Sequence, residues 1–447
     1  MGREDAGKGE RASMAGWAVA GGLSIAILLG GGTAGEPPDQ ARDAFLGLST
    51  DYQLVTQVDY DAGSIATNET VVVTNTTNDV VPSLQFNIMT RAFGEFALTG
   101  PVTLDGHGTS THFSNLVTLD ISTPGFGPGQ ARVVQIPFVD TPSGVIDDDL
   151  DQRTSKAYGI LQAAQWFPIL SDGHPLAQMG DSQFTGAAKR IRFDVTLNRA
   201  MTLVAPGARV ESHGLRSVYD LDNARDYAFV VSPYYHVLTG WVGGTPVHVY
   251  YTNGDGPSTL SWSMEALADY SLAYGPYPWP SYIVAQSSDP TAGDEWPSMT
   301  TIGDDLMVNE HVVAHEAAHQ WWYGIVGNDQ IEEPWLDEAF AEFSARHFFD
   351  VPFDYDSTLP VNLPAPAFKT FCCLTDSYGE TVYYRGAAML EQLRLQMGNS
   401  AFFKALKAIQ TTYRFKTATT AGVIAIFEEK SPYRSGTDRI LHEFMTF

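Results

Sequence analysis

Val313-Ala314-His315-Glu316-Ala317-Ala318-His319-Gln320-Trp321-Trp322-Tyr323-Gly324 is the stretch on which the reading of this 447-residue chain turns. A helical period over Glu310 to Tyr323 puts His315 and His319 one turn apart on one face, where two neutral imidazoles can share a metal ion. Glu316 lies one step round, close to such an ion but not on it, where a carboxylate takes a proton from water. H-E-x-x-H is a short pattern, and a second element is needed to give it weight. That element is Glu333-Pro334-Trp335-Leu336-Asp337-Glu338-Ala339-Phe340-Ala341, in which Pro334 suits a first helical turn and Glu338 follows His319 after eighteen residues. The interval lets the first helix end at Gly324, a loop turn back, and a second helix offer a third, anionic ligand. A fourth zinc position then remains for water.

Around this centre the chain reads as two regions. Beyond Asn253 the periods are helical, with helices expected at Ser263 to Tyr274, Glu310 to Tyr323, Trp335 to Phe349, Gly386 to Met397 and Ala401 to Tyr413, and one strand at Tyr282 to Gln286. Before it, from about residue 50, alternation of period two marks antiparallel strands such as Gln53 to Tyr60, Thr70 to Asn75, Arg132 to Val139, Arg190 to Leu197 and Val247 to Thr252. The expected layout is an amino-terminal segment over 1–35, a β domain of sandwich or saddle form over 45–252, and an α-rich domain over 253–447. The acidic run Asp147 to Asp151 lacks the ordered ligand spacing of a calcium loop and reads as solvated.

With 44% hydrophobic and 12% aromatic residues the chain can bury a core. A formal charge of −26 would repel nucleic acid and anionic lipid, and excludes both as partners. Cys372 and Cys373 are adjacent, so neither a disulfide framework nor a cysteine-rich zinc site is available. Ala12 to Gly32 is uncharged, with an apolar centre at Trp17 to Leu29, basic residues before it and Gly32-Thr33-Ala34-Gly35 after it. This is signal-peptide grammar and predicts an extracytoplasmic protein, secreted or periplasmic, with cleavage near Ala34 favoured over a retained transmembrane anchor. In a glycosylating pathway, Asn68-Glu69-Thr70 and Asn75-Thr76-Thr77 would be acceptor sites.

The paired elements resemble the aminopeptidase N family of zinc metallopeptidases (peptidase family M1), whose pattern is H-E-x-x-H, eighteen residues, then Glu. Gly293-Asp294-Glu295-Trp296-Pro297 sits where that family has Gly-x-Met-Glu-Asn, so the resemblance implies that Glu295 binds the substrate's free α-amine. Tyr383-Tyr384-Arg385-Gly386 is similar to the family's Tyr-x-Lys-Gly, which implies that Tyr383 stabilises the oxyanion. Asp294, Trp296, Ala339 and Arg385 depart from the family's usual residues, and Asp294 bears on specificity. Gln162 and Gln165 are candidates for the amino-domain residue that assists amine recognition. The chain ends at Phe447, soon after the catalytic region, which implies a more open cleft than in relatives with a further helical domain.

The expectation is an α+β, multidomain protein with a thermolysin-like catalytic domain: an exported zinc aminopeptidase with one Zn2+ per chain. Zinc would be held by His315, His319 and Glu338; Glu316 would activate water, Tyr383 would steady the oxyanion and Glu295 would anchor peptides with a free amino terminus. No obligate protein partner is evident. A zinc endopeptidase of the same fold and a non-catalytic binding protein retaining it stay open. His311, one turn before His315, reads as a spectator, and Glu342 as either a partner of a ligand imidazole or a solvated carboxylate.

Overall fold

The computed structural model describes residues 47–144, 153–171, 186–368 and 377–447. The amino-terminal segment, the Asp147 to Asp151 run and the two cysteines lie outside them.

Alternation of apolar and polar residues builds the first half. Strands β1 (Leu48–Asp59), β2 (Ser64–Asn75) and β3 (Ala131–Asp140) come early in the chain. β4 (Ile160–Ala164), β5 (Ala188–Leu197), β6 (Arg216–Ala224) and β7 (Ala228–Ser232) follow. In β1, Tyr52, Leu54, Thr56 and Val58 point inward, and residues between them face out or lie half-buried. The largest sheet has nine strands and contains the run β6-β5-β1-β2-β3. Its strands are not all antiparallel as expected, because β1 and β5 pair in parallel, with Leu54 opposite Phe193. Two four-stranded sheets complete this half, one containing β4 beside β7. Trp166 sits at the junction, fully buried and edge-on to Phe167, Phe193 and Phe229.

The second half is a five-stranded sheet covered by helices. It comprises β8 (His236–Val242), β9 (Thr245–Tyr251), β10 (Tyr282–Gln286), β11 (Gly293–Trp296) and β12 (Met299–Ile302), in the order β8-β9-β10-β12-β11. β8 and β9 thus hydrogen-bond into the sheet of the second half, so a boundary at 252 cuts through it. Helix α1 (Gly256–Tyr274) packs on β8 and β9 and on α2 (Glu310–Ala318), and α2 packs in turn on α3 (Trp335–Phe348). A wide turn of π-helix, Gly379–Arg385, leads into α4 (Gly386–Met397) and also packs on α3. Among the described residues no helix is long and apolar enough to cross a membrane.

Two expectations are corrected here. α2 stops at Ala318 instead of running to Tyr323, and His319 keeps helical angles only as its cap. Asn75 is fully buried, its amide donating to the carbonyls of Asp79 and Phe126, so it is no glycosylation acceptor, whereas Asn68 is exposed.

Candidate metal centre and substrate cleft

α2 carries His315 and ends at the cap residue His319, while the first turn of α3 carries Glu338. The packing of the two helices closes the three into a triangle. His319 Nε2 lies 3.1 Å from His315 Nε2, and Glu338 Oε2 lies 3.3 Å from the first imidazole and 3.5 Å from the second. A tetrahedral ion with bonds of about 2.0–2.1 Å has edges of roughly 3.3–3.4 Å between its ligands. The three donors therefore match the edge lengths of a tetrahedral zinc site.

The tautomers agree with that fit. His315 Nδ1 donates to the carboxylate Glu342 Oε2 at 3.1 Å, and His319 Nδ1 donates to the Trp322 carbonyl at 3.0 Å. Both acceptors lack hydrogens to give, so each ring keeps its Nε2 lone pair for the triangle. Burial opposes charging His315, but Glu338 and Glu342 raise its imidazole to about 9, so the triangle draws positive charge. Glu342 is buried, and besides His315 it accepts from His311 Nε2 at 3.0 Å and Arg346 Nε at 2.5 Å. His311 Nε2 is thus turned to Glu342, and Glu342 is no solvated carboxylate.

Glu316 lies beside the triangle, buried, with Oε2 free of hydrogen bonds. Burial raises its carboxyl to about 7 against the pull of His315 and His319. Gly293 on β11 makes room for it: a Cβ there would come within 2.7 Å of Glu316 Oε1. Glu295, two residues on, points to the same centre, and carboxylate oxygens of Glu295 and Glu316 lie with a nitrogen of His319 within 4.8 Å of one another. Asp294 bonds instead with Thr301, whose hydroxyl also receives the Trp296 indole, and strand alternation puts its side chain opposite that of Glu295. The departure at Asp294 therefore does not add its carboxylate to the Glu295 side of the strand.

Tyr383 comes in on the π-helical turn, and its ring stacks on His315 at 5.6 Å between centroids and 8° between planes. Arg385 donates to the carbonyls of Ser357 and Glu443 and lies over the Phe444 ring, which anchors the last helix.

Several neighbours escaped sequence reasoning. Gln330 donates to Asp337 Oδ2 at 2.7 Å, and burial, with Glu338 beside it, raises the Asp337 carboxyl to about 8. Gln165 donates to Asp226 Oδ2 at 2.7 Å, while Gln162 accepts from Ser287 Oγ at 2.9 Å. Nothing local marks Asp226 or Gln330; the weak signal was Gln165, already a candidate.

The family model described as the peptidase family M1 domain matches residues 268–364, which hold His315, Glu316, His319, Glu338 and Glu295. Aminopeptidase B of Rattus norvegicus is 25% identical over 206 residues, 39% of this chain and 32% of its own length. Membrane alanyl aminopeptidase of Manduca sexta is 25% identical over 282 residues, 51% of this chain and 28% of its own. The chain thus spans about a third of the length of these relatives. An M1 zinc metallopeptidase from Deinococcus radiodurans has a similar fold, with a TM-score of 0.68 at 18% identity, covering 88% of this chain and 93% of that one. A mutant two-domain M1 zinc metallopeptidase bound to L-arginine aligns with a TM-score of 0.70 at 17% identity over 90% and 94% of the two chains. Residues 268–364 thus match the peptidase family M1 domain, and the fold of the chain is similar to that of M1 zinc metallopeptidases.

Proposed function

We propose that the protein is an exported zinc aminopeptidase that removes amino-terminal residues from peptides. The observation that carries this is the convergence of Glu295 with Glu316 and His319, which sets an anionic anchor beside the proton-accepting carboxylate and the metal triangle. His315, His319 and Glu338 would hold zinc. When bound, zinc would supply Lewis acidity to the scissile carbonyl and make water acidic enough to lose a proton. Glu316 takes that proton, since its raised carboxyl stands close to neutrality, and passes it to the leaving amine. Tyr383 donates its phenolic hydrogen to the oxygen that gains charge. Glu295 receives the substrate's α-ammonium, which fixes the cut at the first peptide bond. The structures of relatives support peptide-like ligands, as one M1 zinc metallopeptidase mutant from Deinococcus radiodurans binds a Tyr-Ser-Ala substrate.

The test is a panel of aminoacyl fluorogenic amides run beside amino-acetylated peptides. Acetylation removes a charge-assisted bond of about 1.5–3 kcal/mol, so blocked substrates should be cleaved poorly. Equal cleavage of free and blocked peptides would make the endopeptidase reading the better one, and no cleavage of either by zinc-loaded protein would favour a binding protein. Export rests on the signal grammar of residues 12–35, and amino-terminal sequencing of the processed chain checks it.

A further inference from the structure

The two ligand imidazoles are mounted differently. His315 leans on a carboxylate of its own helix pair, whereas His319 donates to the carbonyl of Trp322, only three residues on, in the turn where α2 breaks off. That turn is closed by the Gly324 amide donating to the His319 carbonyl at 2.9 Å. Within it, Tyr323 has a φ of 147°, a conformation open essentially to glycine. A tyrosine persists in such a place when something outside the turn holds it, and here two residues from the first half of the chain do.

They are Arg225 and Asp226, both buried, in the three-residue step between β6 and β7. Arg225 Nε donates to the Tyr323 carbonyl at 2.7 Å, and another arm donates to the Lys416 carbonyl at 2.8 Å. The guanidinium passes over Gly327, where any Cβ would fall 2.0 Å from its central carbon. The Tyr323 hydroxyl donates to Asp226 Oδ2, which also takes the amide of Gln165, itself at a φ of 48°. Tyr323 is therefore gripped at its backbone and at the tip of its side chain, and both grips come from the β half.

We infer that this clasp makes Arg225, Asp226 and Tyr323 positioning residues for the metal ligand His319: by holding Tyr323 they fix the Trp322 carbonyl, and that carbonyl fixes the ring's tautomer and direction. The inference rests on the zinc reading above. In this arrangement the first half of the chain completes the metal centre without lending it a ligand.

The experiment follows zinc release from the full, zinc-loaded chain into excess chelator, read with a zinc indicator and needing no turnover. Tyr323→Phe keeps the ring and loses only the bond to Asp226, and Arg225→Lys loses the planar fork. Tyr235→Phe is the comparator, since it removes one hydroxyl bond, to the Gln286 carbonyl, away from the turn. Loss of a group that orients a metal ligand typically weakens metal binding by about 10–100-fold. Release should therefore quicken about tenfold or more in Tyr323→Phe and Arg225→Lys, and stay within about twofold of wild type in Tyr235→Phe. Equal rates in all four proteins, or one common acceleration in all three variants, would overturn the clasp. If Tyr323→Phe does not fold, the Arg225→Lys comparison decides alone. A wild-type chain that takes up no zinc would instead overturn the proposed function.

Discussion

Both halves of the molecule bury carboxyl groups, and Glu69 and Asp140 of the first are treated in the opposite way to Glu342 of the second. In the β half, Glu69 sits on the inward face of β2 with neither oxygen hydrogen-bonded, and burial drives its carboxyl well above the ordinary range. Asp140 on β3 is as deep, bonds only Thr90 through one oxygen, and is likewise raised by burial. In the helical half Glu342 is equally buried, and burial alone would raise it. Instead His311 and His315 pull it well below the carboxylate range. Burial pushes the first pair towards the neutral form, whereas Glu342 is pulled towards its charged form because imidazole and guanidinium groups converge on it. Depth does not mark a site; convergence of partners on a shared point does.

The sharpest way to break that contrast is to remove a corner of the triangle. His315→Ala or Glu338→Ala should empty the metal site, from about one zinc per chain to none, by elemental analysis of purified protein. Full occupancy in either would dissolve the distinction between the halves. Next comes Glu316→Gln, nearly isosteric and unable to take the proton, which should keep zinc and lose activity by on the order of 10²–10⁴-fold. Tyr383→Phe removes one donor to charge that develops only in the transition state. A fall in kcat of about 10²–10³-fold with little change in KM is expected, measured on the substrate that wild type cleaves best.

The smallest effect belongs to the β half. Glu69 holds its proton in the folded chain to a pH well above 4.5, while in the unfolded chain it titrates near that value. Across the interval the unfolded state binds fewer protons, so this contribution to stability is whole below about pH 4.5 and declines as pH rises towards the folded value. Glu69→Leu should remove that decline and stabilise the protein near neutrality by about 1–3 kcal/mol, with activity unchanged. Urea midpoints at pH 5 and pH 8 measure it, and a Glu69→Leu chain that lost activity would show that the halves are not so different.

The centre was legible in sequence because its geometry is local. One helical turn separates His315 from His319, and a turn-and-return of eighteen residues brings back Glu338. Glu295 and Tyr383 were legible only through a resemblance, since no spacing rule links a strand and a distant turn to the helix pair. The end of α2 was not legible: Gln320 apart, the run stays apolar through Trp322, and the turn that follows the helix is held by Arg225, ninety-eight residues earlier than Tyr323. Likewise β8 and β9 alternate like any half-buried strands, and only their partners reveal which sheet they join. Parallel pairing of β1 with β5 is invisible for the same reason.

Gly293 has a bearing on how such an enzyme could change occupation over evolutionary time. The atom that a side chain there would strike first is the far end of Glu316, a flexible group, and not any part of the sheet or helix. A single Gly293→Ala change in a duplicated gene would thus push aside the proton acceptor while sparing the metal triangle and the amine anchor. The copy would still capture peptides by their first residue but release them uncut. On the proposed function, one methyl group would then separate a peptidase from a peptide receptor, and the descendant's sequence would keep His315, Glu316, His319, Glu338 and Glu295.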